Sequence, residues 1–206
     1  MKEILLQGGP MMIPLIICSV IAVGTILERF FYLRRVNQID QKILDQVEMS
    51  LLRGETTNAV RLLKGRKDPV ARIFSAGLAS ASKNLQEIEN KIRVAGEEEI
   101  KNMEKNLSIL DVIATVAPLI GLLGTVLGII DSFNILAAMR GMAAPQQLSS
   151  GIAEALITTA TGLVIAIPCM LIYSYFTSRV DKAAHEMNKW TVHLISILKE
   201  RGGENV

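Results

Sequence analysis

The sequence predicts an all-α membrane protein: three transmembrane helices with long helical cytoplasmic extensions. Three observations lead there. Uncharged runs from Ile4 to Leu27, Val112 to Ile130 and Ala155 to Ser178 hold 24, 19 and 24 residues, and about 20 residues span a bilayer as a helix. The polar remainder repeats its apolar residues at steps of three and four, the spacing of one helix face. Lys and Arg are unevenly placed: residues 28–108 hold 15 and the tail from Arg179 holds five, against Lys2 before the first run and Arg140 between the last two. With 50% hydrophobic residues in a chain of 206, a disordered protein is excluded. The net charge of +2, from 22 basic and 20 acidic residues, points to no nucleic-acid partner. A buried core helix could account for one such run in a soluble domain of this size, not for three.

Each element follows in order. Residues 1–27 form a short outer N-terminus and transmembrane helix 1. Lys2 is cancelled by Glu3 and the basic cluster Arg29, Arg34, Arg35 follows the run instead of preceding it, so the run reads as a retained helix and not as a cleaved signal. By the positive-inside rule the N-terminus is outside and both large polar parts are cytoplasmic. Residues 28–108 form a cytoplasmic helical domain. There Val36, Ile39, Ile43, Val47 and Leu51 make one stripe, and Gly54 and the Gly65–Pro69 stretch break the segment into shorter helices. Glu97–Ser108 lacks Gly and Pro and runs straight into the next span, which predicts one continuous helix there. The cluster Lys64, Arg66, Lys67 reads as solvated or lipid-facing charge. Residues 109–138 are transmembrane helix 2, 139–148 a periplasmic turn and 149–178 transmembrane helix 3. Residues 179–206 are a cytoplasmic helical tail striped by Val180, Ala184, Met187, Leu194 and Ile197 or Leu198.

The spans carry two kinds of signal. Gly124 and Gly128, four apart, and Ala117, Gly121 and Thr125 make small-residue stripes on the second span; Gly151, Ala155, Thr158 or Thr159, Gly162 and Ala166 do the same on the third. Small residues at this spacing let helix backbones approach closely, within a subunit or between subunits. Pro118 and Pro168 join them as packing residues. Packing does not explain Glu154, one turn into the third span, where ionisation in hydrocarbon costs up to roughly 3 kcal/mol at the helix centre. The plain alternative is an interfacial Glu facing outer water. Thr158 and Thr161 follow Glu154 at i+4 and i+7 on the same face, a hydroxyl-lined stripe suited to a proton or ion path. Asp111 and Asp131 bracket the second span as boundary residues. Cys18 and Cys169 sit in apolar runs, and His185 and His193 lack metal-site spacing. With no nucleophile motif, phosphate loop or zinc signature, neither an enzyme nor a cofactor nor a metal is expected.

Two segments, Ala117-Pro-Leu-Ile-Gly-Leu-Leu-Gly-Thr-Val-Leu-Gly and Gly151-Ile-Ala-Glu-Ala-Leu-Ile-Thr-Thr-Ala-Thr-Gly-Leu-Val-Ile-Ala-Ile-Pro, resemble the MotA/TolQ/ExbB proton-channel family, ExbB/TolQ branch. MotA-like members have four spans, from which this chain departs. The resemblance implies a homo-oligomer, a pentamer in the bacterial inner membrane, around helices of an ExbD/TolR-like single-span partner carrying one essential Asp. It implies that proton flow delivers work to the outer membrane through a TonB-like or TolA-like protein, in TonB-dependent uptake or Tol-Pal envelope maintenance. The family's threonine of the second span falls on Thr125, its acid on Glu154 and its pore threonine on Thr159. A wheel at 100° per residue sets Thr159 about 140° from Glu154, so Thr158 and Thr161 stay as candidates beside it. Counting about 1.5 Å per residue inward from Asp131 and Ser150 puts Thr125 about 9 Å and Thr159 about 14 Å deep. The rival reading is a structural membrane scaffold without ion conduction, in which Glu154 only seals a contact.

Overall fold

A backbone N–H or C=O left without a partner in hydrocarbon costs several kcal/mol, which leaves the α-helix as the local structure open to a single apolar run of bilayer length. The computed structural model describes residues 8–36, 41–66, 68–79, 85–138 and 145–203, and among them every regular element is an α-helix. In chain order these are α1 (Met12–Val36), α2 (Gln41–Leu52), α3 (Thr56–Leu63), α4 (Pro69–Leu78), α5 (Leu85–Glu104), α6 (Leu107–Ala138) and α7 (Pro145–Gly203). Stretches long and apolar enough to cross a membrane lie within Met12–Arg34, Gln86–Ala138 and Ser149–Lys199. Lys2, Glu3, Ile4, Ile39, Lys67 and residues 139–144, with Arg140, lie outside the described residues. The chain divides into two units: Met1–Arg29 with Asn106–Phe176, and Phe30–Lys105 with Thr177–Val206.

In the first unit each long helix turns a narrow face inward. On α1 that face is Met12, Leu15, Ala22, Thr25 and Arg29, while Ile13 and Val20 between them are 64% and 67% exposed. Arg29 is ion-paired with Glu28, and Glu28 accepts a 3.0 Å hydrogen bond from the side-chain amide of Asn106. Leu107, Leu110, Ala114, Ala117, Gly121 and Gly124 form the inner face of α6. The exposed apolar residues of all three spans are what a lipid-facing surface requires.

Contact between α6 and α7 is backbone to backbone. A Cβ on Gly121 would stand 3.0 Å from the Thr159 Cα, and one on Gly162 would stand 2.6 Å from the Ala117 carbonyl oxygen. No side chain fits at Gly162, and one at Gly121 would push the backbone of α7 away by a few tenths of an ångström. Pro118 sits half-buried inside α6, beside that contact; Pro168 lies inside α7 and is exposed.

The second unit explains the apolar stripes of the polar segments: they are one another's partners. Leu44, Val47 and Leu51 of α2, Ala59 and Leu63 of α3, Val70, Ile73 and Phe74 of α4, Ile88, Ile92 and Met103 of α5, and Val180, Met187, Leu194 and Ile197 of α7 are buried. Leu44 takes the place expected for Ile43, which is half-buried. Phe74 meets Trp190 edge to face at 6.5 Å. Gly54 (φ +82°) and Gly65 (φ +81°) adopt left-handed conformations at the helix breaks. Asp68 caps α4, accepting from the Ala71 N–H at 2.9 Å, with Pro69 at the first helical position. Arg72 donates to Glu99 at 2.8 Å, a hydrogen bond that pushes its guanidinium pKa up.

The continuous helix expected through Glu97–Ser108 does not form. α5 ends at Glu104 and α6 begins at Leu107, with Asn106 between them at φ +64°. Asn tolerates this region because its short polar side chain can bond locally. Its carbonyl accepts from the Ile109 N–H at 3.2 Å, and its amide reaches Glu28. A search confined to Gly and Pro overlooks such a break.

The packing of α6 on α7 yields a test. Gly162→Leu should cost about 1–3 kcal/mol or more by overpacking against a carbonyl that cannot retreat, seen as a lower unfolding temperature or loss of monodisperse protein in detergent. Gly24→Leu, at a position with nothing within 4 Å, should leave both unchanged. Equal behaviour of the two variants would contradict the close approach.

Candidate functional site

The site begins with two threonines that face each other across the α6–α7 seam. Thr159 donates to the Gly121 carbonyl of α6 at 2.9 Å, and Thr125 donates to the Ala155 carbonyl of α7 at 3.1 Å. Each acceptor lies four residues before the opposite threonine, so the exchange is reciprocal. The two hydroxyl oxygens also lie within hydrogen-bonding distance of each other, an alternative acceptor for either hydrogen. Both threonines are half-buried. This geometry exists because Gly121 lets the helices meet: a side chain there would hold the Thr159 backbone away.

Glu154 and Thr158 look elsewhere. Thr158 is 1% exposed, and its hydroxyl donates to the Glu154 carbonyl of its own helix at 2.9 Å and to the Gly8 carbonyl at 2.8 Å. Half-buried Glu154 lines a cavity of about 330 Å³ together with Gly8, Pro10, Met11, Asp131 and Asn134. Thr161 donates to the Ile157 carbonyl of its own helix at 2.8 Å. The face shared by Glu154 and Thr158 therefore meets the start of the chain, and Thr159 meets α6. The 140° between them on the wheel is realised as two environments.

The glycines named from the sequence, Gly121, Gly124, Gly128, Gly151 and Gly162, lie along this pairing. A Cβ on Gly124 would come within 2.5 Å of the Thr158 methyl, and one on Gly128 within 2.9 Å of the Ala155 Cβ. On Gly151 it would meet the hydroxyl of Ser132, a buried residue that donates to the Gly128 carbonyl at 2.9 Å. The stripes thus serve contact within one chain. Two participants were not singled out from the sequence. Asp131, read only as a boundary marker, shares the cavity with Glu154, and the turn at Gly8–Pro10 supplies one wall. An acidic residue at a span's end looks the same in sequence whether it faces bulk water or a cavity, and a Gly-Gly-Pro run before an apolar stretch signals only a turn.

Among the described residues no group of three or more His, Cys, Asp or Glu side chains gathers as a metal site. His193 pairs with Glu48 at 2.9 Å and packs edge-on against Trp190. Cys18 is half-buried and Cys169 buried, both as free thiols. Around the α6–α7 seam and its cavity, the polar groups among the described residues include the carboxyl groups of Glu154 and Asp131, the Asn134 amide, threonine hydroxyls and backbone carbonyls.

Residues 65–189 match the model of the MotA/TolQ/ExbB proton channel family. The chain is 33% identical over 189 residues to a biopolymer transport protein ExbB homologue of Methanothermobacter thermautotrophicus, covering 88% of this chain and 67% of that protein. It is 32% identical over 175 residues to an ExbB-like biopolymer transport protein of Synechocystis, covering 84% and 83%. With the Tol-Pal system protein TolQ of Pseudomonas aeruginosa it shares 34% over 161 residues, covering 68% and 67%. The matched stretch contains Thr125, Glu154, Thr159 and both small-residue stripes, and the chain belongs to the MotA/TolQ/ExbB proton channel family, in its ExbB/TolQ branch.

Proposed function

We propose that this chain is the proton-conducting stator subunit of an inner-membrane motor. It assembles as a homo-oligomer, a pentamer on the family's pattern, around an ExbD/TolR-like single-span protein. Proton motive force then energises an outer-membrane process through a TonB-like or TolA-like protein. The chain carries protons and performs no chemistry of its own on a substrate. The observation that carries this reading is Glu154: a half-buried carboxyl group within an apolar helix, opening on a cavity it shares with Asp131. An ionisable residue at that depth is costly to keep without a use. The membrane orientation follows from the Lys and Arg distribution, with the N-terminus periplasmic and the C-terminus cytoplasmic.

Three measurements test the reading. Glu154→Gln keeps size and most hydrogen bonding while removing ionisation, and should abolish proton flux and outer-membrane energisation in a complex that still assembles. Normal conduction by that variant would end the proton-carrier role. Cysteines introduced in residues 139–148 should react with an impermeant reagent from outside, and those in residues 36–105 only after permeabilisation; the reverse pattern would invert the topology.

The threonines divide motor from scaffold. Thr125→Val with Thr159→Val removes two interhelical hydrogen bonds worth about 0.6 kcal/mol each in a membrane setting. That is small against a total stability of about 5–15 kcal/mol, so the complex should assemble. Loss of flux with assembly intact, restored by Ser at both positions, assigns the hydroxyls to the proton path. Unchanged flux would favour the scaffold reading for these two residues, since their hydroxyls already have partners within the chain.

A further inference from the structure

Before α1 the chain makes a tight turn at Gly8-Gly9-Pro10. The Gly9 carbonyl accepts from the Met12 N–H at 3.1 Å and the Pro10 carbonyl from the Ile13 N–H at 3.3 Å, so the turn is the opening of the helix. Gly8 is fixed to α7, because its carbonyl accepts the Thr158 hydroxyl at 2.8 Å in a buried contact. Gly9 has φ +65°, where side chains are strained, and a Cβ built on it would land on the carboxyl oxygen Oε1 of Glu154 and 3.0 Å from the carboxyl carbon. Backbone conformation and lack of space therefore both demand glycine at one residue. They have different causes, and only the second involves Glu154.

We infer that Gly9 is a positioning residue for Glu154: the turn tied to Thr158 seats the carboxyl group in the space that a side chain at residue 9 would take, at the wall of the cavity it shares with Asp131. This rests on the reading of Glu154 as the proton carrier. Thr158 lies one helical turn from Glu154 on the same face, so its bond to Gly8 fixes the turn relative to the same stretch of helix that carries the carboxyl. Any side chain on Gly9 drives Glu154 into another rotamer and changes what surrounds its carboxyl group. Among the described residues, the ionisable groups lining this cavity are Glu154 from α7 and Asp131 from α6, with Asn134 and Thr158 as polar neighbours and Gly8, Pro10 and Met11 beside them. The turn lies before residue 65, where the family match begins.

Asparagine separates the two demands on Gly9, since it adopts positive φ readily yet carries a Cβ. The experiment uses the chain with its single-span partner in proteoliposomes, measuring proton flux as a function of pH. Gly9→Asn should assemble, lower flux by about tenfold, the size of a coupling between contacting residues, and displace the midpoint of the pH profile. Combining it with Glu154→Asp, which withdraws the carboxyl by one methylene, should leave more flux than the product of the two single effects. Thr158→Val, which frees Gly8 without filling the space at Gly9, should displace the midpoint as well, and Thr158→Ser should restore it. Gly24→Ala is the control for a helical glycine in open space.

A wild-type pH profile for both Gly9→Asn and Thr158→Val would overturn the positioning role even where Glu154→Gln abolishes flux. Normal flux through Glu154→Gln would instead reject the underlying proton-carrier reading. If Gly9→Asn fails to assemble, Thr158→Val decides: a displaced midpoint rescued by Ser supports the inference, and an undisplaced one rejects it.

Discussion

Everything in the membrane unit depends on how closely α6 and α7 approach. In lipid two apolar helices gain nothing by hiding apolar surface from each other, and attraction has to come from van der Waals contact and interhelical hydrogen bonds, both of which decay within fractions of an ångström. Gly121 and Gly162 remove the side chains that would hold the backbones apart. Only then can hydroxyls as short as those of Thr125 and Thr159 reach carbonyls of the opposite helix. The hydrogen bonds are a consequence of the glycines, and a Leu at either place would remove them without touching a threonine.

The same approach decides which way the third span faces. With Thr159 held against Gly121, the Glu154–Thr158 face is turned toward the turn that opens α1. A carboxyl group in an apolar segment then finds a cavity with Asp131 and Asn134 in place of lipid. Depth alone does not make this arrangement; rotation of α7 about its own axis does, and that rotation is set by small residues up to two turns away. Chemistry and packing in this unit are therefore not separable into different residues. Thr158 shows this best, since its methyl packs at Gly124 and its hydroxyl holds Gly8.

How much of this the sequence disclosed follows the range of the forces involved. The presence of three spans, the small-residue stripes and the breaks at Gly54 and Gly65 were legible because each depends on local composition or on a residue's own conformational freedom; the bounds of the first span were not, since its helix starts at Met12, after a turn at Gly8–Pro10 inside the uncharged run. The apolar stripes of the polar segments were legible as faces, but not their partners: that Phe74 meets Trp190, or that Leu44 and not Ile43 is the buried residue of α2, depends on contacts far apart in sequence. Two features escaped for a sharper reason. Asn106 breaks a helix with a residue that interrupts few helices, and its left-handed conformation is supported by a hydrogen bond to Glu28, 78 residues away. Gly9 looks like any turn glycine; its contact with Glu154 exists only once the chain has folded back across the third span.

The hydroxyl pair carries one more consequence, from counting hydrogens. Thr125 and Thr159 have one donor hydrogen each: the Thr125 hydrogen can go to the Ala155 or Gly121 carbonyl, the Thr159 hydrogen to the Gly121 carbonyl, and either to the other hydroxyl oxygen. Both hydrogens are thus spoken for inside the seam, and the lone pairs of the hydroxyl oxygens exceed what those hydrogens occupy. A carboxyl group brought to this half-buried seam in its protonated form can donate to a spare lone pair without disturbing the clasp. An ionised carboxylate needs a donor, and can obtain one only by breaking a bond that holds α6 to α7. A Ser at either position would preserve this clasp. Valine would remove it while leaving the glycine contact in place.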